Sequence, residues 1–487
     1  MVYQDLRQYL EKLEEEKELV RVQAEVDWNQ EIGAITRRVC EKREAAPLFE
    51  NIKDHPGHRL TGVLMGPGKA SLYARLSLAF GLDKLTSPRD LINFVGEKLK
   101  QRIDPILVDK SEASCKEVIL LGSDADLLKL PTPWIHKPSI EGGRYIGTSD
   151  IVITKDPDTG WVNWGTYRCM LVDKDTIAMV LLPSGQHGGR IFAKYQAMKK
   201  KMPLALILGA DPMSSIAAMS PLPHTVSEIK LAGGLMGEPL KLVKCETIDL
   251  EVPANAEIVI ELEVMPEERI PEGPFAEYTG HIHGVGHHWM APVAKVKAIT
   301  HRHNPIFTMA NMGKPWDDWA VPGSILQSVV AKDWLDSHGV KVKEVYHHAP
   351  MTAMVISLTP SAGLIQKVIS TLLAGDRFMQ VPTIGLVFVE EDVDVTSLED
   401  VWWSITTRMH PERFRVIKNV PANPLVPYVT PPERASFESS YWVMDSTFPI
   451  EWTSQYRYEN TQVIDFNNSW EEEVKSQVLK RWSEYGY

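Results

Sequence analysis

Between about residue 116 and residue 311 the chain is a succession of short apolar runs closed by Gly, Pro, Asn or Asp, and this pattern limits the fold more than any other feature. KEVILLG, DIVITKD, TIAMVLL, LALILGA, EIVIELEV, APVAKVKAI and PIFTMAN each read as a strand. With one helix expected among them, near 227–235, so many strands point to a barrel-like or sandwich-like central domain rather than a doubly wound sheet.

The flanks have a different texture. Leu6, Tyr9, Leu10 and Leu13 recur at helical spacing, so an amphipathic helix is expected over 3–18 and a strand over 19–26. Further helices are expected over 69–82 and 87–99, the second opened by Ser87-Pro88. After Val321-Pro322-Gly323 the run SILQSVVAKDWLDSHG predicts a linker helix closed by Gly339. Strand, helix, strand and helix follow over 351–358, 361–373, 383–389 and 397–407, the βαβα order of a parallel layer reaching about residue 420. The Pro-rich run 421–432 reads as an ordered surface connection. In the tail Trp470, Val474, Val478 and Trp482 recur every fourth residue behind an Asn468 or Ser469 cap, a stripe expected to dock on its own chain or on a second subunit.

Charge and cysteine usage narrow the partners. With 52 basic and 64 acidic residues the formal charge is −12, which offers no basic surface to a nucleic acid, so any anionic ligand needs a local positive pocket. The four cysteines, Cys40, Cys115, Cys169 and Cys245, form no CxxC pair, and a reducing cytoplasm fits them. No window reaches the roughly 20 apolar residues that span a bilayer, and the N-terminus lacks a signal-peptide core, so neither membrane nor secretion is expected.

Several motifs fail on spacing. Gly66-Pro67-Gly68-Lys69 lacks the Walker Gly at Val63 and the Ser or Thr at Ala70, and Gly233-Gly234-Leu235-Met236-Gly237 does not match a dinucleotide fingerprint. His281, His283, His287 and His288 lie close together without a carboxylate or Cys at ligand spacing, so a loop beside a pocket is the plainer reading than zinc. Asn163 and Arg168 would face opposite sides of a regular strand, and a bulge at Gly165 would bring them together; the alternative is an edge strand with a solvent-facing Arg. Ser184-Gly185-Gln186-His187-Gly188-Gly189-Arg190 is either a hairpin loop or a turn that lets backbone approach a ligand, with Arg190 available to a phosphate. Glu228 opens a predicted helix, where capping is the default explanation, yet Asn163, His187 and Glu228 together form an O, N, O set suited to Mn²⁺ or Mg²⁺. Most informative is Pro271-Glu272-Gly273-Pro274-Phe275-Ala276-Glu277. Its prolines and glycine forbid a helix and hold two carboxylates on a stiff loop, where beside an Arg they can divide anion binding from proton transfer.

Taken in order, N-x-G-x-Y-R at 163–168, the H-G-G turn at 187, L-P-x-x-x-S-E ending at Glu228, V-P-A-N-A-E-I-V at 252–259 and E-G-P-F-A-E at 272–277 resemble the UbiD family of reversible decarboxylases, as does VFVEEDVDVTSLEDVWWSITTRMHP near the C-terminus. The resemblance implies a mixed α/β and β (α+β) fold in five parts. These are an N-terminal α/β segment (1–115), a split β-barrel binding prenylated FMN and metal (116–320), a linker helix (321–340), a C-terminal α/β domain closing over the substrate (341–460) and a terminal segment and helix (461–487). It implies Arg168, Glu272 and Glu277 as catalytic residues, and Asn163, His187 and Glu228 as ligands of Mn²⁺ or Mg²⁺ gripping the flavin phosphate, with K⁺ nearby. Trp164, Gly165, Thr166, Tyr167, Arg168 and Gln186 are expected to line the flavin.

The reaction implied is non-oxidative decarboxylation of an aromatic, ring-hydroxylated acid, with acrylic or heteroaromatic acids as the alternatives. A flavin prenyltransferase would supply the cofactor, and the enzyme would be a homodimer or homohexamer. The substrate walls are expected at the Val321 loop and near Phe448-Pro449; Tyr441, Trp442, Phe448 and Trp452 suit a flat ring or, equally, a core. A plain-FMN reductase or a non-catalytic subunit are the readings from other classes.

Overall fold

The structure, a computed structural model, describes residues 3–182, 185–284, 289–314, 316–348, 352–374, 384–421 and 423–487. A nine-stranded sheet forms its centre, along the path 144–147, 169–171, 176–179, 289–301, 258–272, 202–208, 150–155 and 162–165, with 118–121 paired beside 289–301. Every neighbouring pair is antiparallel, and the sheet curls into a half-barrel. Side chains alternate between two apolar cores. Ile151, Ile153, Ala205, Ile207 and Val259 face one, while Val152, Leu204, Leu206, Ile258 and Ile260 fill the other. Burial on both faces explains why these runs are apolar throughout instead of alternating.

The two longest strands, Ile258–Glu272 and Trp289–His301, pair from Ile258 opposite His301 to Glu272 opposite Trp289. Their register shifts between Val264 and Arg269, where the first strand carries extra residues. A bulge of this kind bends and twists its strand, and past it Arg269–Glu272 delivers a carboxylate to the end of the sheet.

Three helices, not one, accompany these strands: His187–Ala197, Pro212–Met219 and Glu228–Met236. The first was hidden by glycines that disfavour a helix; a Cβ on Gly189 would lie 2.4 Å from the Leu182 carbonyl carbon, so close packing requires the glycine. The second opens with a cap that sequence reading overlooked, Asp211 accepting from the Ser214 amide ahead of Pro212.

In the N-terminal part, Leu6–Glu15 is helical and buries Leu6, Tyr9, Leu10 and Leu13 as expected. The following strand is only Leu19–Val22. The helix expected over 69–82 shrinks to Ala74–Ala79, because the Lys69 and Ala70 amides donate to the buried Glu18 carboxylate (2.9 and 2.8 Å) instead of entering a helix. Pro88–Lys98 forms behind a Ser87 cap. PIFTMAN leaves the central sheet: Ile306–Met309 pairs in parallel with Arg59–Gly62 and completes the four-stranded N-terminal sheet.

The helix Ala320–Ser337 ends before Gly339, which adopts φ +67°. A five-stranded sheet follows in the order 344–348, 353–357, 385–389, 438–445, 414–421. The expected parallel pair 353–357 and 385–389 is present, with helices Leu364–Leu373 and Leu398–Arg408 between its strands and after them. The layer does not stop near 420, because Glu438–Asp445 adds a third parallel strand.

The tail helix is Glu472–Lys480, with Glu471 rather than Asn468 or Ser469 at the N-cap position and no side-chain capping bond. Trp470, Val474 and Trp482 are 52%, 44% and 48% exposed, so the stripe does not dock on its own chain. Among the described residues no helix is long and apolar enough to cross a membrane.

Leu13 is fully buried where the first helix meets the main core. Leu13→Ala should therefore cost about 2–5 kcal/mol, read as a lowered thermal midpoint.

Candidate active site

A cavity of about 360 Å³ lies between the end of the central sheet, the start of the 320–337 helix and the 423–437 segment. Two polar groups of residues reach its wall. One is charged. Arg168 Nε donates to Glu272 Oε1 and Nη2 to Oε2, both at 3.0 Å, while Nη1 donates to Glu277 Oε1. Glu272 is wholly buried and Glu277 is 5% exposed. Phe275 lies under the guanidinium, with Cζ 4.8 Å from the ring centroid.

Local sequence explains how these side chains meet. The edge strand Val162–Gly165 stops at Gly165, and the chain turns through 166–168 before Cys169–Leu171. Asn163 and Arg168 thus share the cavity because the strand ends between them, not through a bulge within it. A Cβ on Gly165 would stand 2.5 Å from the Tyr167 hydroxyl, so the glycine lets Tyr167 fold back along its own strand. The solvent-facing alternative fails, since the Arg168 side chain is only 12% exposed. Glu272 ends the long strand. The loop after it is pinned by Gly142, whose amide donates to the Pro274 carbonyl at 2.9 Å, and a Cβ there would reach within 1.9 Å of the Gly273 oxygen. Phe275–Ala276 then pairs with Ile282–His283, and the turn between them carries Glu277.

Burial pushes the Glu277 carboxyl up, with Arg168 opposing and the Glu272 charge adding to the rise. Burial also works against the Arg168 charge, but Glu277 and then Glu272 outweigh it and hold the guanidinium above its ordinary value. His283, at the wall, is pushed down to about 4 by burial and by the charges of Arg168 and Arg434.

The second group is Asn163, Tyr167, Gln186, His187 and Glu228, all on the cavity wall. Glu228 does not cap its helix; Ser227 does, accepting from the Lys230 amide. The Glu228 carboxylate instead takes the Asn163 amide at 3.2 Å and the Trp164 backbone N–H at 3.3 Å. The Tyr167 hydroxyl donates to Asn163 Oδ1 (2.9 Å) and accepts the Gly188 N–H (3.1 Å), tying the start of the 187–197 helix to the edge strand. Gln186 closes its turn by accepting the Leu182 amide at 2.7 Å. His187 lies among the rings of Trp161 and His224, at 5.3 and 5.4 Å.

Burial raises Glu228 to about 7, and none of the ion pairs among the described residues involves it. A buried carboxylate without a cationic side chain among the described residues, on a wall that also carries the Asn163 amide and the His187 imidazole, offers the oxygen and nitrogen donors a divalent ion takes. Among the described residues no three His, Cys, Asp or Glu side chains form a metal cluster, so the set depends on the Asn163 amide. Trp164, Gly165 and Thr166 also line the cavity, whereas Arg190 does not. His281 is exposed, and Ser184, His287 and His288 lie outside the described residues.

The walls differ from expectation. Asp318, Trp319 and Gln327 line the cavity in place of Val321, which is buried, and Asn423, Pro424, Leu425 and Phe437 replace Phe448-Pro449. Phe448 stacks on Trp452 at 5.6 Å instead. The Pro-rich run is therefore more than a surface connection: Asn423 Nδ2 donates to the Tyr278 hydroxyl at 2.7 Å, one residue from Glu277. Sequence reading also missed Tyr145, which donates to Glu272, and the buried wall carboxyls Asp150 and Asp318, raised by burial to about 8 and about 6. No local motif marks any of them.

The chain is similar to known proteins along nearly its whole length. Residues 106–315 match the family description 3-octaprenyl-4-hydroxybenzoate carboxy-lyase Rift-related domain, 10–95 match its N-terminal domain and 321–445 its C-terminal domain. A pyrrole-2-carboxylic acid decarboxylase of Pseudomonas aeruginosa is 34% identical over 500 residues, covering 99% of this chain and 98% of its own. The closed form of vanillic acid decarboxylase from Sedimentibacter hydroxybenzoicus aligns with a TM-score of 0.86 at 30% identity over 99% of both chains. An evolved dimeric UbiD-class enzyme from Pelotomaculum thermopropionicum in complex with prFMN aligns at 0.78 and 26% identity, over 97% of this chain and all of its own.

Asp150 yields a test of the cavity's electrostatics. Its folded value of about 8 stands above the unfolded value of about 3.9. The stability it contributes is present below about pH 4 and is lost as pH rises through about 8. In ligand-free protein, Asp150→Asn should flatten the fall of thermal midpoint across that window.

Proposed function

The chain belongs to the UbiD family of carboxy-lyases, and from that premise we propose that this decarboxylase acts reversibly and non-oxidatively on an aromatic, ring-hydroxylated carboxylic acid with prenylated FMN as its cofactor. The observation that carries the reading is a buried guanidinium shared by two carboxylates of unequal surroundings at the wall of a largely apolar cavity.

When bound, prenylated FMN supplies an electron sink for the pair left on carbon as CO₂ departs. Asn163, His187 and Glu228 would hold Mn²⁺ or Mg²⁺ against the flavin phosphate, with K⁺ nearby, and Trp164, Gly165, Thr166, Tyr167, Arg168 and Gln186 would line the flavin. The lone buried carboxylate of Glu228 supports that assignment. Arg168 receives the substrate carboxylate, releasing Glu277 while its Nε and Nη2 edge stays on Glu272. Glu277, its proton affinity raised by burial, delivers the proton to the carbon that lost CO₂. Trp319, Leu425 and Phe437 exclude water and suit a flat ring.

Asp318 and Tyr278 offer polar partners to a ring hydroxyl; a heteroaromatic acid is the second reading, favoured by the pyrrole-2-carboxylic acid decarboxylase resemblance. An acrylic acid remains the other alternative. A flavin prenyltransferase would supply the cofactor. The exposed Trp470–Trp482 stripe supports assembly of two or more subunits, and four free cysteines suit the cytoplasm.

Expression with a flavin prenyltransferase, followed by a CO₂-release screen over aromatic and acrylic acids, tests the reading; equal activity without the prenyltransferase would overturn the cofactor assignment. Glu277→Gln should lower kcat by at least about 10²-fold with the flavin spectrum intact. Glu228→Ala should lose flavin and metal together, measured by absorbance and elemental analysis. Because Glu277 must carry a proton and its value is raised, kcat should be fully expressed on the acid side and fall as pH rises through that raised value.

A further inference from the structure

Tyr145 does not line the cavity and has no part in the steps above, yet its hydroxyl is the third donor on Glu272. It lies on the edge strand Arg144–Gly147, opposite Met170 and so two residues along the neighbouring chain from Arg168. The residue is wholly buried, with its ring 4.5 Å from that of Phe275, on which the Arg168 guanidinium rests. The phenol donates at 2.6 Å to Glu272 Oε1, the oxygen that also takes Arg168 Nε, while Oε2 takes Arg168 Nη2. Burial and the neighbouring Glu272 charge hold the phenol far above its ordinary value, so it remains a donor at any working pH.

Two carboxyls that share one guanidinium compete for the same proton, and the proton settles where the ionised form is less well solvated. Three side-chain donor contacts converge on Glu272. Glu277 has one from Arg168 and the backbone N–H of Tyr278. We propose that Tyr145 is a positioning residue for the decarboxylation: by filling Glu272 with donors it keeps the pair's proton on Glu277, the carboxyl at the cavity wall. The inference rests on Glu277 as the acid of the proposed function. In that step the carbon–carboxylate bond breaks, its electron pair takes the Glu277 proton to form a carbon–hydrogen bond, CO₂ leaves, and the Glu277 carboxylate is reprotonated from water. Tyr145 itself gives up no proton.

The test is Tyr145→Phe in the flavin-loaded enzyme, which removes one oxygen and leaves the ring packing. Losing a hydrogen bond to a charged group should lower kcat by roughly ten- to a hundredfold while KM and the flavin spectrum hold. The alkaline limb of the kcat profile should move to higher pH, because a proton shared by two sites binds more tightly overall. In a Glu272→Gln background the same substitution should add less than about twofold, since both act through one carboxylate. In flavin-free protein, the protonated-carboxyl infrared band that Glu277→Gln removes should be single in the parent, split into two by Tyr145→Phe and restored to one by Glu272→Gln. An unshifted limb, losses that multiply in the double variant, or a fall confined to KM or flavin content would each overturn the proposal. If the wild-type enzyme released CO₂ from no acid, the functional reading would fail by itself, and the infrared comparison would still decide where the proton resides.

Discussion

Arg168 holds its charge in a place that water barely reaches, and the surroundings are arranged around that fact. A buried guanidinium is tolerated only when paired and hydrogen-bonded on its donor edges, and removing one partner of such a pair costs about 3–5 kcal/mol. Here Glu272 takes one edge in two parallel bonds and Glu277 takes a nitrogen on the other. The three residues arrive from an edge strand's exit, the far end of a fifteen-residue strand and a short hairpin turn. The bulge between Val264 and Arg269, the glycine contact at 142 and the Phe275 ring all serve to bring those ends together.

The same site shows how an acidic protein receives anions. Its formal net charge is −12, but the cavity wall carries Arg168 together with a buried carboxylate, Glu228, that forms no ion pair among the described residues. Surface charges are screened over roughly 8 Å at physiological salt, whereas a desolvated charge acts at short range with little screening. In the proposed function the two polar groups would divide the work accordingly: one would accept a cation and through it a phosphate, the other would hold a carboxylate and move a proton. Between them the apolar wall supplies shape, and Asn423 bonded to Tyr278 couples the C-terminal segment to the loop that bears Glu277.

Much of this was legible in the chain because the relevant signals are local. Apolar runs with turn residues marked most of the central strands, helical spacing marked Leu6 to Leu13, Ser87 marked a cap, and two prolines and a glycine marked the stiff loop of Glu272 and Glu277. The errors have a common form. The Glu18 carboxylate diverted the amides of a helix expected at 69–82, glycines that disguised the 187–197 helix were demanded by the packing of another segment, and a polar-looking strand at 438–445 was recruited by its neighbour. In each case a partner outside the element itself overrode a correct local preference.

Sequence alone determined the succession of strands, the reaction class through ordered motifs, and which residue types had to meet: an Arg and two carboxylates. Only the tertiary structure decided how they meet. It showed that Asn163 and Arg168 share a cavity because a strand ends between them, that Tyr145 stands behind Glu272, and that the walls come from Asp318, Trp319 and Asn423 to Leu425 rather than from Phe448. The physical reason is range. Capping, turn chemistry and apolar periodicity act over a few residues and are written where they act. Burial, desolvation and the sharing of one guanidinium by residues 104 and 109 positions away exist only once the chain has closed on itself.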